Sequence, residues 1–460
     1  MAPSRWRRTA VLLCALAAAA HCGFRGERYT GVLDMKSHPW LKHKKVFIDP
    51  GHGGLGAKDR FRMGPGGITE EEVNLKVGLV LAAMLEEAGA GVKLSRTRDE
   101  DVPLGERAAM AGRFGPDLLV SVHHNGSARR VDGVNYPLVL AWGTEEVNPA
   151  SFDFAALLLR EFHGIMDGKG IILSDFAVFP ETGTRILRET RSLCPGVIGE
   201  AGFYSDEKQS AHLRDPDYNR REAEAYFTAI SEYVRRGIPS ARVKVSCAVD
   251  KAALLKNTLE VDSPGLFISA GSGVPPGEMA GDAGVDESSF RAALDGIPVP
   301  CRPVTNALYR VDYGKRLYPG THALRFSFRN RRAQHSMVCV ALFSVRIGKG
   351  DYDRLVREGS GKVRLRRTAR EGVLMLRAAL SMNVTGPDAG EVLGAVARGF
   401  AVMGDVQAAR YFRSRRAYFF PGSEGKDAAG DRHYGYRFPV EHLGREVEVE
   451  HDPSLAGAGR

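Results

Sequence analysis

Two features that define other protein classes are missing from this sequence. Its six cysteines include no Cys-x-x-Cys pair, which excludes the common cysteine-based zinc patterns. Beyond the N-terminus, no apolar run is long enough to span a bilayer. Apolar and charged residues occur at ordinary frequencies over the 460 residues, so we expect a folded, soluble protein of two or three domains.

Acidic residues are absent from the first 21 positions. The basic stretch Arg5–Arg8 precedes the apolar run Thr9–Ala20, which ends in an Ala-x-Ala cleavage site, so residues 1–21 are predicted to be a signal peptide. Cys22 follows directly, as in bacterial lipoprotein signals, but His21 departs from the small residue expected before that cysteine. We expect an extracytoplasmic protein of the periplasm or cell envelope, membrane-bound only if Cys22 is lipidated; simple secretion is favoured.

Neither the net charge nor the cysteine content identifies a binding partner. The formal net charge is +9, and it would be 9 − 3 = +6 without Arg5, Arg7 and Arg8 of the predicted signal peptide. This charge mildly favours anionic envelope polymers or surfaces, and nothing in the sequence indicates a nucleic acid. Cys247, Cys301 and Cys339 lie in one C-terminal segment. Secretion permits a disulfide between two of them, and buried thiols are the alternative.

After a linker over residues 22–43, strands and helices alternate over residues 44–238. Apolar residues recur at helical spacing in Glu71–Ala88, whereas Lys45–Asp49 and Leu118–His123 are short apolar runs typical of buried strands. Such alternation predicts an α/β domain with a mostly parallel sheet flanked by helices.

The pattern changes after this domain. Short strand candidates separated by turn residues over 240–347 predict an all-β sandwich of immunoglobulin-like type. Residues 352–422 are apolar at helical spacing and predict a small helical segment similar to tetratricopeptide repeats. Residues 423–460 are predicted to be a poorly ordered tail.

Three predicted strands of the α/β domain end in residues that can carry chemistry. His52 follows the first strand in Asp49-Pro-Gly-His-Gly-Gly, His123 ends another strand, and Glu200 lies in a third apolar strand. Glu70, at the start of the first helix, is the fourth candidate. Functional groups of parallel α/β sheets gather at the carboxyl ends of the strands, so we expect these residues to meet.

Two histidines and one carboxylate form a zinc site that leaves a fourth position for water. A bound zinc lowers the pKa of that water and polarises a carbonyl. A further carboxylate must then move a proton from the water to the leaving amine, and Glu200 suits that role. These residues therefore predict metal-assisted hydrolysis of an amide.

The motifs also resemble those of a known family. Asp49-Pro-Gly-His-Gly-Gly, Glu70-Glu-Glu-Val-Asn-Leu75, Ser95-Arg-Thr-Arg-Asp99, Ser121-Val-His-His-Asn125 and Gly199-Glu-Ala-Gly-Phe203 occur in the order found in the zinc-dependent N-acetylmuramoyl-L-alanine amidases, which are bacterial cell-wall hydrolases. The resemblance covers residues 44–236, about half of the chain.

The resemblance implies that His52, Glu70 and His123 bind one zinc ion and that Glu200 is the catalytic acid and base. It implies hydrolysis of the amide between N-acetylmuramic acid and L-alanine in peptidoglycan, in wall remodelling or septum cleavage. An activator or envelope protein would bind through the C-terminal domains.

Two residues depart from the family pattern. His124 replaces a small residue beside the ligand histidine; because adjacent strand residues point to opposite faces, only one of the two can bind, and we favour His123. Gly199 replaces a β-branched residue before Glu200.

Several of these residues have plainer interpretations. Glu70 begins an acidic run that would also stabilise a helix N-terminus, and Asn125 either supports the site or caps a turn. Arg96, Arg98 and Arg107 are expected to pair with nearby acids between residues 99 and 106 rather than with substrate. The alternative functions are an envelope-binding protein with a vestigial or activator-dependent amidase domain, and a zinc peptidase acting elsewhere in the stem peptide.

Overall fold

The structure is a computed structural model. It describes residues 34–54, 62–127, 133–166, 169–180, 182–246, 258–259, 265–278, 283–313, 320–345, 351–382, 388–420 and 444–455. The predicted signal peptide, Cys22 and Cys247 lie outside the described residues. Of the remaining cysteines, Cys194, Cys301 and Cys339 are free thiols.

A six-stranded sheet forms the centre of the first domain, in the order β2-β1-β3-β6-β4-β5. Strands β2, β1, β3 and β6 are parallel, but β4 runs antiparallel to β6 and β5 follows the direction of β4. The sheet is therefore mixed, and the prediction of a mostly parallel sheet is wrong. The pattern of apolar residues in a buried strand is the same for both directions of the strand, so it could not predict the direction of β4. The strands are β1 (Lys45–Pro50), β2 (Gly91–Leu94), β3 (Leu118–Asn125), β4 (Leu138–Ala141), β5 (Ile171–Ser174) and β6 (Gly196–Phe203).

Helices cover both faces of this sheet. Val46 and Ile48 of β1 pack into one apolar cluster with three of the helices, α1, α3 and α6, whereas Phe47 faces a second cluster that includes α2 and α4. Burial on both faces explains why β1 and β3 are continuous apolar runs rather than alternating ones. The helices are α1 (Glu70–Glu87), α2 (Leu104–Phe114), α3 (Pro149–Ile165), α4 (Arg185–Thr190), α5 (Glu207–Leu213) and α6 (Pro216–Arg236).

The described part of the predicted linker packs on the α/β domain. Met35 and Leu41 belong to the apolar cluster under α1 and α6. Trp40 donates a hydrogen bond of 2.8 Å from its indole nitrogen to the Ser231 hydroxyl of α6. Residues 34–43 are therefore part of the domain, which the polar composition of the segment did not indicate.

Two sheets follow the α/β domain. One has the order β11-β10-β14-β15-β16, with β8 also on β15, and the other has the order β12-β13-β9-β7-β17. Buried residues of both sheets, among them Ile268 and Phe326, form one apolar cluster. The strands are β7 (Ser240–Val245), β8 (Thr258–Leu259), β9 (Leu266–Gly271), β10 (Val285–Leu294), β11 (Ile297–Pro298), β12 (Cys301–Thr305), β13 (Leu308–Val311), β14 (Gly320–Asn330), β15 (Cys339–Val345), β16 (Arg445–Glu446) and β17 (Val449–His451).

The last two strands come from the segment predicted to be a tail. β16 pairs in parallel with β15, and β17 pairs in parallel with β7. Val449 is buried in the cluster that both sheets share. The prediction of a poorly ordered tail is wrong for residues 445–451, because these short strands depend on sheet edges provided by distant residues.

Between β15 and β16 the described residues form four helices, and successive helices pack against each other. Val363, Val373, Leu376, Val392 and Val396 form the centre of their apolar cluster. No helix among the described residues is long and apolar enough to cross a membrane. The helices are α7 (Asp351–Lys362), α8 (Arg366–Met382), α9 (Ala389–Met403) and α10 (Val406–Phe419).

Polar contacts join the two-sheet region to the α/β domain. The buried Asn330 amide donates hydrogen bonds to the carbonyl oxygens of Arg236 and Ser272, at 2.8 and 3.0 Å. On α3, the Asp153 carboxylate accepts a hydrogen bond of 2.6 Å from the backbone amide of His335. These contacts bind the end of α6 and the outer face of α3 to the second region.

Candidate metal centre

The chain leaves β1 in a tight turn that presents His52. Gly51 has no room for a side chain, because a Cβ there would lie 2.2 Å from the ring of His123. His52 itself has a φ of 59°, a left-handed conformation that is uncommon outside glycine. The missing side chain at Gly51 and the left-handed backbone at His52 therefore allow the rings of His52 and His123 to lie close together.

Two buried arginines hold the carbonyl groups of this turn. Arg96 donates to the Pro50 and Gly51 oxygens at 2.9 and 2.8 Å. Arg107 donates to the oxygens of Pro50 and His52. Both guanidinium groups thus fix the backbone from which His52 projects.

The expected pairing of these arginines is only partly right. Arg107 forms a buried ion pair with Asp49 at 2.8 Å, and not with an acid between residues 99 and 106. Arg98 does pair with Glu100, at 2.9 Å on the surface. Burial by itself raises the pKa of Asp49, but Arg107 and the hydroxyl of Ser95 outweigh it and hold the pKa below its usual value.

The three predicted ligands meet at the ends of β1 and β3 and at the start of α1. Glu70 Oε2 lies 3.2 Å from His52 Nε2, and Glu70 Oε1 lies 3.0 Å from His123 Nδ1. One ligand atom from each residue lies within 4.8 Å of the others. The structure therefore brings together His52, Glu70 and His123 in an arrangement that could hold a metal ion.

Glu70 is buried between the two imidazoles. Burial alone would raise its pKa, but the hydrogen bonds and charges of His123 and His52 outweigh burial and hold the pKa of Glu70 far below its usual value. The pKa of His52 is lowered, chiefly by burial. An ionised carboxylate beside an imidazole that readily stays neutral is the state that metal binding requires.

Glu200 lies on β6, directly beside His123 of β3 in the strand register. Its Oε2 is buried and has no hydrogen-bond partner among the described residues. Burial, reinforced by the charge of Glu70, raises the pKa of Glu200 well above its usual value, with His124 acting in the opposite sense. Two neighbouring carboxylates thus have pKa values pushed in opposite directions, as acid–base sites require.

The adjacent histidines of β3 separate as the alternation of strand side chains predicts. His123 contacts Glu70, whereas the His124 ring is turned to Asn74 and Glu222, at 2.8 and 3.0 Å. Burial lowers the pKa of His124, but the charge of Glu222 outweighs it, so the pKa lies above its usual value. Asn125 accepts a hydrogen bond from the backbone amide of Gly126 at 2.8 Å and so caps its own turn.

Sequence reasoning missed two residues near the site, Asn74 and Glu222. Asn74 lies one helical turn after Glu70 and donates to Glu70 Oε1 at 3.3 Å. The spacing of four residues on α1 was a usable signal. Glu222 gave none, since an acid on a long helix is usually exposed, whereas this one is fully buried.

Known proteins are similar to this chain over its α/β domain. Residues 46–232 match the family model described as N-acetylmuramoyl-L-alanine amidase. "Uncharacterized protein YqiI" of Bacillus subtilis is 29% identical over 193 residues, which are 42% of this chain and 86% of that protein. The amidase AmiC of Neisseria meningitidis is 30% identical over 186 residues, 37% of this chain and 42% of that protein.

A third relative is the amidase CwlM of Bacillus licheniformis, 30% identical over 177 residues, 37% of this chain and 60% of that protein. The chain thus spans about half the length of these two named amidases. A solved structure, AmiC2 of Nostoc punctiforme, is 28% identical and covers 42% of this chain and 98% of its own, with a TM-score of 0.36. Over residues 46–232, the α/β domain of this chain is therefore similar to the N-acetylmuramoyl-L-alanine amidase family.

Proposed function

We propose that this protein is a zinc-dependent amidase that hydrolyses the bond between N-acetylmuramic acid and L-alanine in peptidoglycan. The observation that carries the proposal is the meeting of His52, Glu70 and His123 beside Glu200. The family of the domain supports the substrate.

The donor set fits one zinc ion. Two imidazole nitrogens and a carboxylate oxygen are the ligands of many catalytic zinc sites. The pKa of Glu70 is lowered, and its carboxylate lies between His52 and His123. Hydrogen bonds from the two imidazoles to this carboxylate therefore hold the three side chains close together. A bound zinc would polarise the amide carbonyl and lower the pKa of a water molecule.

We assign the proton transfer to Glu200. Burial and the charge of Glu70 raise the pKa of Glu200 well above the usual value, which favours a carboxyl group that takes up and releases a proton in turn. Its Oε2, which has no hydrogen-bond partner in the part of the chain that the structure describes, could form a hydrogen bond with a reacting group. Arg96 and Arg107 contribute by fixing the turn that carries His52.

The rest of the chain gives the proposal its setting. We assign residues 44–238 to the catalytic domain, 240–347 to an immunoglobulin-like sandwich and 352–422 to a tetratricopeptide-like helical segment. A signal peptide over residues 1–21 would direct the chain to the cell envelope, where wall remodelling takes place. We assign the two C-terminal domains to the binding of an activator or envelope protein.

The test is digestion of purified peptidoglycan by the mature protein with zinc, followed by mass spectrometry of the products. We expect stem peptides with a free L-alanine amine, and we expect their release to stop on chelation. Cleavage at another bond of the stem peptide would indicate a zinc peptidase instead. Binding of zinc and peptidoglycan without any cleavage would favour the envelope-binding protein with a vestigial or activator-dependent domain.

A further inference from the structure

A chain of buried polar groups leads from the metal ligands to α6. Glu222 Oε2 of α6 lies 3.0 Å from His124 Nε2, and His124 Nδ1 lies 2.8 Å from Asn74 Oδ1. The Asn74 amide nitrogen then donates to Glu70 Oε1 at 3.3 Å and to the Gly51 oxygen at 3.2 Å. All four side chains from Glu222 to Glu70 are buried.

These contacts set the direction of the hydrogen bonds. Asn74 uses its amide nitrogen on two oxygens, so its own oxygen must accept, and His124 Nδ1 must be the donor. The Glu222 carboxylate fixes the other ring nitrogen of His124. The orientation of Asn74, and through it that of Glu70 and the Gly51 carbonyl, therefore depends on the pair formed by Glu222 and His124.

A second residue of α6 makes a similar contact with the strand of Glu200. Tyr226, one helical turn after Glu222, donates from its hydroxyl to the Gly199 oxygen at 3.0 Å. A Cβ at Gly199 would lie only 2.3 Å from this hydroxyl oxygen. The two departures from the family pattern, His124 and Gly199, are thus each matched by a residue on the same face of α6.

We propose that Glu222 and His124 are positioning residues of the metal centre, which hold Glu70 through Asn74, and that Tyr226 positions the strand of Glu200. The proposal rests on the proposed function, because it takes His52, Glu70 and His123 as zinc ligands. Groups that hold metal ligands from behind fix the ligand orientation, and their loss commonly lowers metal affinity 10- to 100-fold.

Packing alone does not explain the buried pair. Replacing a buried ion pair by apolar residues of similar volume is often neutral or stabilising, so stability alone does not account for this pair. Its distinguishing feature is its connection, through Asn74, to the proposed ligand Glu70. The pair formed by Asp295 and His322, also buried, provides a comparison: Asp295 Oδ2 lies 2.6 Å from His322 Nδ1, far along the chain in the two-sheet region.

The decisive measurement is zinc affinity, by competition with a chromophoric chelator, on the full mature chain. We expect Glu222→Gln to bind zinc about 10- to 100-fold more weakly than the wild type. The matched control is Asp295→Asn, which disrupts a buried imidazole–carboxylate pair of the same kind and should bind zinc normally. The absorption spectrum of the cobalt-substituted protein should change in Glu222→Gln and stay unchanged in Asp295→Asn.

The variant Tyr226→Phe tests the second part of the proposal, the positioning of the Glu200 strand, separately from the first. It should keep wild-type zinc affinity and lower kcat, because Glu200 moves while the ligands do not. A change in zinc affinity in Tyr226→Phe, with kcat unaltered, would overturn its assignment.

Equal zinc affinity and an equal cobalt spectrum in Glu222→Gln and wild type would refute the positioning role, as would equal weakening in the Asp295→Asn control. If Glu222→Gln does not fold, the double variant His124→Leu, Glu222→Met removes both polar groups at similar volume and answers the same question. A wild-type protein that binds no zinc would instead contradict the proposed function itself.

Discussion

The α/β domain and the two-sheet region differ in what they bury. Among the described residues, the two-sheet region buries one pair of acidic and basic side chains, Asp295 and His322. The α/β domain buries many more around the ends of β1 and β3. They are Asp49, Glu70, Glu71, Arg96, Arg107, His124 and Glu222. Burying charge is costly, so its concentration in one region indicates where the chemistry lies.

The largest expected difference between the two regions is the effect of replacing an acidic residue on kcat. Glu200→Gln should lower kcat by about 10²- to 10⁴-fold, because the side chain can no longer transfer a proton. Zinc affinity should remain, since Glu200 is not among the proposed ligands. The measurement is product release from peptidoglycan together with chelator competition.

Glu287→Gln, an exposed acid of β10, is the matched control and should retain full activity. Wild-type turnover in Glu200→Gln would remove this residue from the mechanism.

The second contrast concerns ion pairs. Asp49→Asn leaves the buried Arg107 without its charged partner, so we expect the free energy of unfolding to fall by about 3–5 kcal/mol. Arg242→Ala removes the exposed pair of Arg242 with Glu450 in the two-sheet region and should cost about 1 kcal/mol or less. Urea unfolding compares the two. Similar losses would mean that the α/β interior does not depend on this charge.

The third contrast concerns glycine. Gly199→Ala forces a methyl group against the Tyr226 hydroxyl, and we expect a loss of about 1–3 kcal/mol in stability. Gly277→Ala, in the two-sheet region, meets no atom within 4 Å and should be nearly neutral. Adding Tyr226→Phe to Gly199→Ala should recover part of the loss. A double-mutant cycle with no coupling would show that the two residues do not compete for this space.

The smallest effect concerns pH. The raised pKa of Glu200 means that the native protein keeps a proton that the unfolded chain releases above about pH 4.5, so Glu200 destabilises the fold as pH rises. Metal-free Glu200→Gln should therefore gain stability relative to wild type between about pH 4 and pH 8. Urea unfolding at both values measures the gain.

A gain for Glu200→Gln that is greater at the lower pH would contradict the sign of the shift.

Sequence patterns predicted most elements of the α/β domain, for local reasons. The helix predicted at Glu71–Ala88 is α1 (Glu70–Glu87), because its apolar residues Val73, Val77 and Leu81 recur at helical spacing and are buried. In contrast, β10 was not predicted. Its residues Asp286–Ser289 are all polar, and an irregularity in its pairing between Asp286 and Arg291 interrupts the alternation on which strand prediction depends.

The four chemical residues of the site were evident from sequence because turns and strand ends are local. Glycines and a proline around His52, and apolar runs that end at His123 and enclose Glu200, mark positions where a side chain is presented rather than packed. The residues that hold them in place were not evident, since Arg107 and Glu222 act across 58 and 98 positions of the chain.

The sequence by itself thus determined which residues are the candidates for binding a metal and moving a proton, since residue identity and local pattern suffice to select candidates. Only the tertiary structure decided the direction of β4, the pairing of residues 445–451 with two sheet edges, and the burial of Glu222 behind His124. The physical reason is that strand direction, edge pairing and burial are properties of contacts between distant segments, which no local pattern encodes.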